Sequence, residues 1–201
     1  MKSRTVIGYI QDWEQSLQLE KFHTRGRYHL IRDDRDQVPW KKIFFHNNVR
    51  PQVKFHLCLV LMRKTPTKDR LNKFGILTDK VYCFCQEDET IDHLYFECRY
   101  SKRIWETILQ WIGYRTNCGK WSIEKEWIMR ETNKKGWRQL LLKNAIAETV
   151  HMICRVRNEF IFQKKQPDED CVKQLQYIIV VRCNMVEKLR NHISIETLNI
   201  N

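Results

Sequence analysis

The sequence predicts a mainly α protein: a helical domain with a small Cys/His knuckle inserted in it, followed by a long antiparallel helical hairpin. Three observations lead there. Six Gly and four Pro in 201 residues are too few turn-formers for many short strands. Over the last third, apolar residues recur at intervals of three and four, the period of one helix face. Finally, Cys83, Cys85, His93 and Cys98 crowd into one short stretch, while Cys58, Cys118, Cys154, Cys171 and Cys183 stand alone. A chain of this length forms one domain or two small ones and buries a real core. With 42% hydrophobic and 11% aromatic residues, it belongs with folded proteins.

Residues 1–23 form a leader whose order no periodicity specifies. The opening MKSRTVIGYIQDWEQ is basic but lacks the apolar run of about 7–15 residues of a secretory signal. Thr24 to Arg32 suits a short helix ending in the polar turn Asp33-Asp34-Arg35-Asp36. Pro39 fits a first helical turn, with Trp40, Ile43 and Phe44 at helical spacing before Asn47-Asn48 break it. Pro51 opens PQVKFHLCLVLMR, apolar nearly all round and therefore expected in the core. Thr65 or Thr67 caps the next short helix, with Leu71 and Phe74 turned inward and Gly75 stopping it.

Ser101 to Trp111 reads as a helix with Ile104, Trp105, Ile108 and Trp111 on one face. The adjacent stretches WETILQWIGYRTNCGK and WSIEKEWIMRETNKKG share several residues, but two weak copies fall short of a repeat architecture. Leu142, Ile146, Thr149, Ile153, Val156 and Phe160 mark a long amphipathic helix that Lys164 to Pro167 ends. Asp168-Glu169-Asp170 then begins another, with Val172, Leu175, Ile179, Val186 and Leu189 inward and Arg182 interrupting. A short loop between two such helices makes them an αα-hairpin. The boundaries expected are a leader at 1–23, a knuckle-bearing domain at 24–112 and a helical tail at 113–201.

Three thiols and an imidazole are the ligand set of a closed tetrahedral zinc site. Cys83, Cys85, His93 and Cys98 are thus expected to hold one structural Zn2+, a site with no open position for hydrolysis. Cys83 and Cys85 point to opposite faces of a regular strand, so the backbone must turn to bring both to one ion. His93 and Cys98 lie about 140° apart on an ideal helix, so a helix must start or end between them. The competing expectation is thiols buried beside a core histidine.

The net charge of +12 is uneven. Between Thr24 and Lys80 there are 14 Lys and Arg against 5 acids, and between Thr132 and Lys165 8 against 2. The cluster between them is acidic. Such a field favours a polyanion, the expected partner being RNA or single-stranded DNA bound without sequence preference. Lys41, Lys42, Lys54, Arg63, Lys64, Lys68, Arg70, Lys73 and Arg103 are the expected phosphate contacts.

ETIDHLYFEC followed by SKRIW resembles the core of the reverse transcriptase zinc-binding domain of plant LINE-type (non-LTR) retrotransposons. Trp40-Lys41-Lys42-Ile43, Pro51-Gln52-Val53-Lys54-Phe55, Thr67-Lys68-Asp69-Arg70-Leu71 and Gly75-Ile76 extend the likeness upstream. Ile153, Arg157-Asn158 and Phe162 extend it into the tail. The resemblance implies zinc binding and a role in holding template for a polymerase, with a reverse transcriptase polyprotein as a further partner. The family's first cysteine lies three before its second, where this chain has Tyr82; Cys83 comes one residue late. Cys58 and Cys154 stand where the family has tryptophan, and Val156 where it has glutamate.

A polymerase needs several Mg2+-binding carboxylates and a longer domain. Asp33-Asp34 sits in a charged, turn-like run, and no phosphate loop, nucleophile elbow or H-E-x-x-H motif is present. The expected function is therefore non-catalytic: a zinc-binding, nucleic-acid-binding module from the C-terminal region of a retrotransposon reverse transcriptase. The alternative is a metal-free helical interaction domain or a functionless retroelement remnant. With no apolar run near 18 residues and clustered thiols, the expected location is intracellular, nuclear or cytoplasmic, with no membrane partner.

Overall fold

The computed structural model describes residues 40–45, 49–76, 78–114, 119, 121–168, 170–190 and 192. The expected leader, the helix at Thr24 to Arg32, the turn at Asp33 to Asp36 and the break at Asn47-Asn48 lie outside the described residues. Among the described residues the protein is helical, with no strand beyond a single antiparallel bridge between Val81 and Asp88. The helices are α1 (Lys41–Phe45), α2 (Pro51–Leu61), α3 (Lys68–Lys73), α4 (Arg99–Trp111), α5 (Trp121–Asn133), α6 (Trp137–Gln163), α7 (Cys171–Asn184) and α8 (Glu187–Arg190). A π-helical turn, His93–Glu97, precedes α4.

Helix α6 is the element against which the others pack: α2, α4, α5, α7, α8 and the π turn all contact it. Its expected stripe is buried from Leu142 through Val156, but burial is not confined to that stripe. Every residue from Leu141 to Ile153 is buried. The polar members of this run find partners. Glu148 accepts from Arg50 at 3.0 Å, Thr149 donates to the Ala145 carbonyl at 2.7 Å, and Asn144 donates to the Cys183 sulfur at 3.6 Å. Buried polar groups persist only when bonded in this way.

Lys164, left-handed at φ 56°, ends α6. The Asp168 carboxylate then accepts from the Asp170 N–H (2.9 Å) and the Gln174 amide (2.5 Å), opening α7. Since Asn144 near the start of α6 meets Cys183 near the end of α7, the pair runs antiparallel as expected. The stripe at Val172 to Leu189 does not form one helix. The chain bends after Asn184 and resumes as α8, and the bend leaves both Val186 and Leu189 buried.

Two other expectations are corrected. Helix α2, apolar nearly all round, buries only Val53, Leu57, Val60 and Leu61, while Phe55 is 60% exposed. Phe74 is not inward. It is 71% exposed, with the Arg70 guanidinium over its ring at 5.6 Å. Gly75 does stop α3, at φ +80°. The two similar stretches are not structural equivalents, since Trp105 lies mid-way along α4 and Trp121 opens α5.

Candidate metal centre

The knuckle is built by a tight loop. Tyr82 N–H donates to the Glu87 carbonyl at 2.8 Å, Cys85 N–H to the Tyr82 carbonyl at 3.3 Å, and Glu89 N–H to the Lys80 carbonyl at 2.7 Å. These bonds fold residues 80–89 back on themselves and bring Cys85 toward His93. Phe84 anchors the loop, its ring against Tyr100 (4.7 Å) and against Phe160 of α6 (5.2 Å).

The second half depends on the π turn. Cys98 N–H donates to the His93 carbonyl at 2.9 Å, an i→i+5 bond that widens the turn. Residues five apart, splayed on an α-helix, are thereby brought to the same side. The helix then breaks, as the spacing required: Cys98 has ψ 136° and is the N-cap of α4. Ser101 Oγ and Trp105 Nε1 donate to the Leu94 and Tyr95 carbonyls, both at 2.6 Å, so the carbonyls of the irregular turn stay bonded.

The result is a three-residue group. Cys85 Sγ lies 3.0 Å from His93 Nε2 and 4.0 Å from Cys98 Sγ, and all three ligand atoms fall within 4.8 Å of one another. Ligands about 2.0–2.3 Å from one ion at tetrahedral angles lie roughly 3.5–3.8 Å apart, so the group fits three corners of a zinc site. The Cys98 sulfur also accepts from the backbone N–H groups of Tyr100 and Ser101 at the start of α4, which lowers its pKa, although burial raises it more. Helix N-terminal N–H groups favour a thiolate.

Cys83 is not in this group. It occupies the turn of the loop, half-buried, within electrostatic range of Glu89, Arg157 and Lys68; burial first, then the Glu89 charge, pushes its thiol up to about 11. Tyr82 is buried, its ring edge-on to His93 at 5.7 Å. Burial holds its phenol far above the ordinary range, so it stays protonated at neutral pH and packs the site as an apolar wall.

The residue that organises this surrounding is Glu89, which the cysteine spacing did not single out. Its fully buried carboxylate takes two bonds from Arg157 of α6, at 3.2 Å and 2.5 Å, and one from the Lys68 N–H at 3.0 Å. One side chain thus joins the knuckle, the start of α3 and the central helix. Its local signal was faint: a Glu four residues before the π turn, with a partner 68 positions away.

The nine expected phosphate contacts divide. Arg63 makes a two-pronged pair with Asp92 (2.6 and 2.8 Å). Lys68 binds Asp79 and the Val81 carbonyl, Arg70 the Arg63 carbonyl, and Lys73 the Asp69 carboxylate. Lys64 and Arg103 are exposed and Lys54 half-exposed, with no bonded side-chain partner among the described residues; Lys41 is exposed. The Lys42 side chain lies outside the described residues.

Compared with known proteins, residues 22–105 match a family model described as zinc-binding in reverse transcriptase. The span contains Cys85, His93 and Cys98 and ends within α4. No curated protein and no solved structure matches the chain. Among the described residues no helix is long and apolar enough to cross a membrane.

Proposed function

We propose that the chain is a zinc-binding, nucleic-acid-binding module, non-catalytic on its own, descended from the C-terminal region of a plant LINE-type retrotransposon reverse transcriptase. The observation that carries the metal half is the convergence of Cys85, His93 and Cys98 inside the family-matched span. Zinc there would cross-link the loop of residues 80–89 to the N-terminus of α4. In small fingers such binding is worth about 10–16 kcal/mol, though here it acts on one corner of a larger core. The nucleic-acid half rests on the +12 charge and on the exposed Lys64 and Arg103 and the half-exposed Lys54, which suit phosphate without sequence preference.

Native mass spectrometry of the purified protein tests the metal, with Cys98→Ser beside it. One zinc per chain, lost in the variant, is the expected result; no zinc in the wild type rejects it. Anisotropy titration with a labelled single strand tests the partner. The observed affinity should fall steeply with salt, each phosphate contact contributing about 0.7 to the logarithmic slope. A flat response rejects nucleic acid as the ligand.

A further inference from the structure

A second surface lies outside the family-matched span, where the α5–α6 turn faces the α7–α8 bend. Residues 134–143 on one side and 185–188 with His192 on the other enclose an open groove of about 1030 Å³, the size of a ligand site. Lys134, Lys135, Lys143 and Lys188 line it, against Glu187 as the one acid. Lys134 is shared with Glu131 at 2.6 Å. Lys135 and Lys188 are exposed and pair with no acid among the described residues. The N-terminus of the 27-residue α6 ends on the same wall, with no acid in its first turn and glycine as its N-cap, so its positive end adds to the lysines.

The groove also carries aromatic faces. Trp137 and the exposed His192 stack at 4.9 Å and 8° between planes, and Arg138 covers the Trp137 ring at 5.4 Å. Cations at a groove's rim beside a flat aromatic stack are what a single strand uses, phosphates on the lysines and a base on the ring. A phosphorylated or merely acidic protein would need the charge but not the stack.

We propose that this groove is a binding site for single-stranded nucleic acid, with Lys135 and Lys188 on backbone phosphates and the Trp137–His192 stack on a base. It rests on the nucleic-acid reading above and places a contact in the tail, away from the metal centre. Three of the eight cations between residues 132 and 165, Lys134, Lys135 and Lys143, line this groove.

The experiment measures binding of the full chain to labelled oligo(dT) and oligo(U) by anisotropy across a salt series. Heparin serves as a polyanion without bases, and circular dichroism checks folding. Lys135→Ala/Lys188→Ala should lower the logarithmic salt slope by about 1.4. Trp137→Leu and, separately, His192→Ala should weaken oligonucleotide binding about tenfold while leaving the slope and heparin binding unchanged. Wild-type binding that all these variants retain overturns the groove but leaves the nucleic-acid reading standing. Loss of oligonucleotide and heparin alike in Trp137→Leu, with its fold intact, overturns the stacking role and makes the groove a general anion site. No binding by the wild type overturns both proposals.

Discussion

At the scale of residues, the buried Glu89–Arg157 pair is costly to break. Removing one partner strands the other in an apolar surrounding, an effect of about 3–5 kcal/mol. Arg157→Ala should therefore lower unfolding stability by that amount in urea titrations. Lys73→Ala, which breaks an exposed pair with Asp69, should cost at most about 0.5 kcal/mol. Similar losses for both would refute the role given to the pair. A second, half-buried pair responds to acid. The Nδ1 atoms of His56 of α2 and His151 of α6 lie 2.8 Å apart, one donating to the other. Burial, then His56, Arg50 and Arg155, lowers the His151 pKa to about 4, and burial lowers that of His56. Between about 4 and the unfolded value near 6.5 the unfolded chain binds more protons. The pair's contribution is thus complete above that range and disappears as pH falls through it. Partial exposure limits the effect to about 1–2 kcal/mol. His151→Gln should show that much less destabilisation than wild type between pH 7.5 and 4.5; an equal fall in both would exclude the pair as the cause.

At the scale of elements, periodicity revealed α4, α6 and α7 because each keeps an apolar face over several turns. It misjudged α2, whose apolar residues nearly all round announced a core helix. The helix truly buried on all sides along its middle is α6, and it carries Lys143, Asn144, Glu148 and His151 there. Composition misled because a polar side chain with a partner is cheap to bury, and the partners come from distant segments. The π turn was equally hidden, since HLYFE reads as an ordinary apolar helical turn. What was legible was the constraint it solves, that His93 and Cys98 cannot face one point on an unbroken helix. Gly75 shows a local rule that held. At φ +80° an added Cβ meets nothing within 4 Å, so Gly75→Ala should cost only the left-handed backbone penalty, about 1–2 kcal/mol. Asn should cost less. A denaturation midpoint for Gly75→Ala equal to wild type would mean that this turn rearranges freely.

At the scale of the molecule, the candidate metal centre sits at one corner of a core assembled on α6. Chelation under reducing conditions should therefore loosen residues 82–98 and lower the melting temperature by roughly 5–10 °C, since about 1 kcal/mol shifts a chain of this size by 2–4 °C. Hydrogen exchange should keep the α6–α7 hairpin protected while the knuckle loses protection. Complete unfolding on chelation would show that zinc, not the apolar core, nucleates the fold.

The sequence alone determined the helical class, the hairpin, the place of the Cys/His cluster and the break between His93 and Cys98. All of these follow from spacing along one segment of chain. Which sulfurs share a point was decided by the tertiary structure. The loop of residues 80–89 turns Cys85 toward His93 and Cys98 and leaves Cys83 outside their group. Tyr82, where the resemblance expects a cysteine, became a packed wall beside the imidazole. The basic groove of the tail was likewise invisible in the chain, because its two walls lie some fifty residues apart and meet only when α7 folds back along α6.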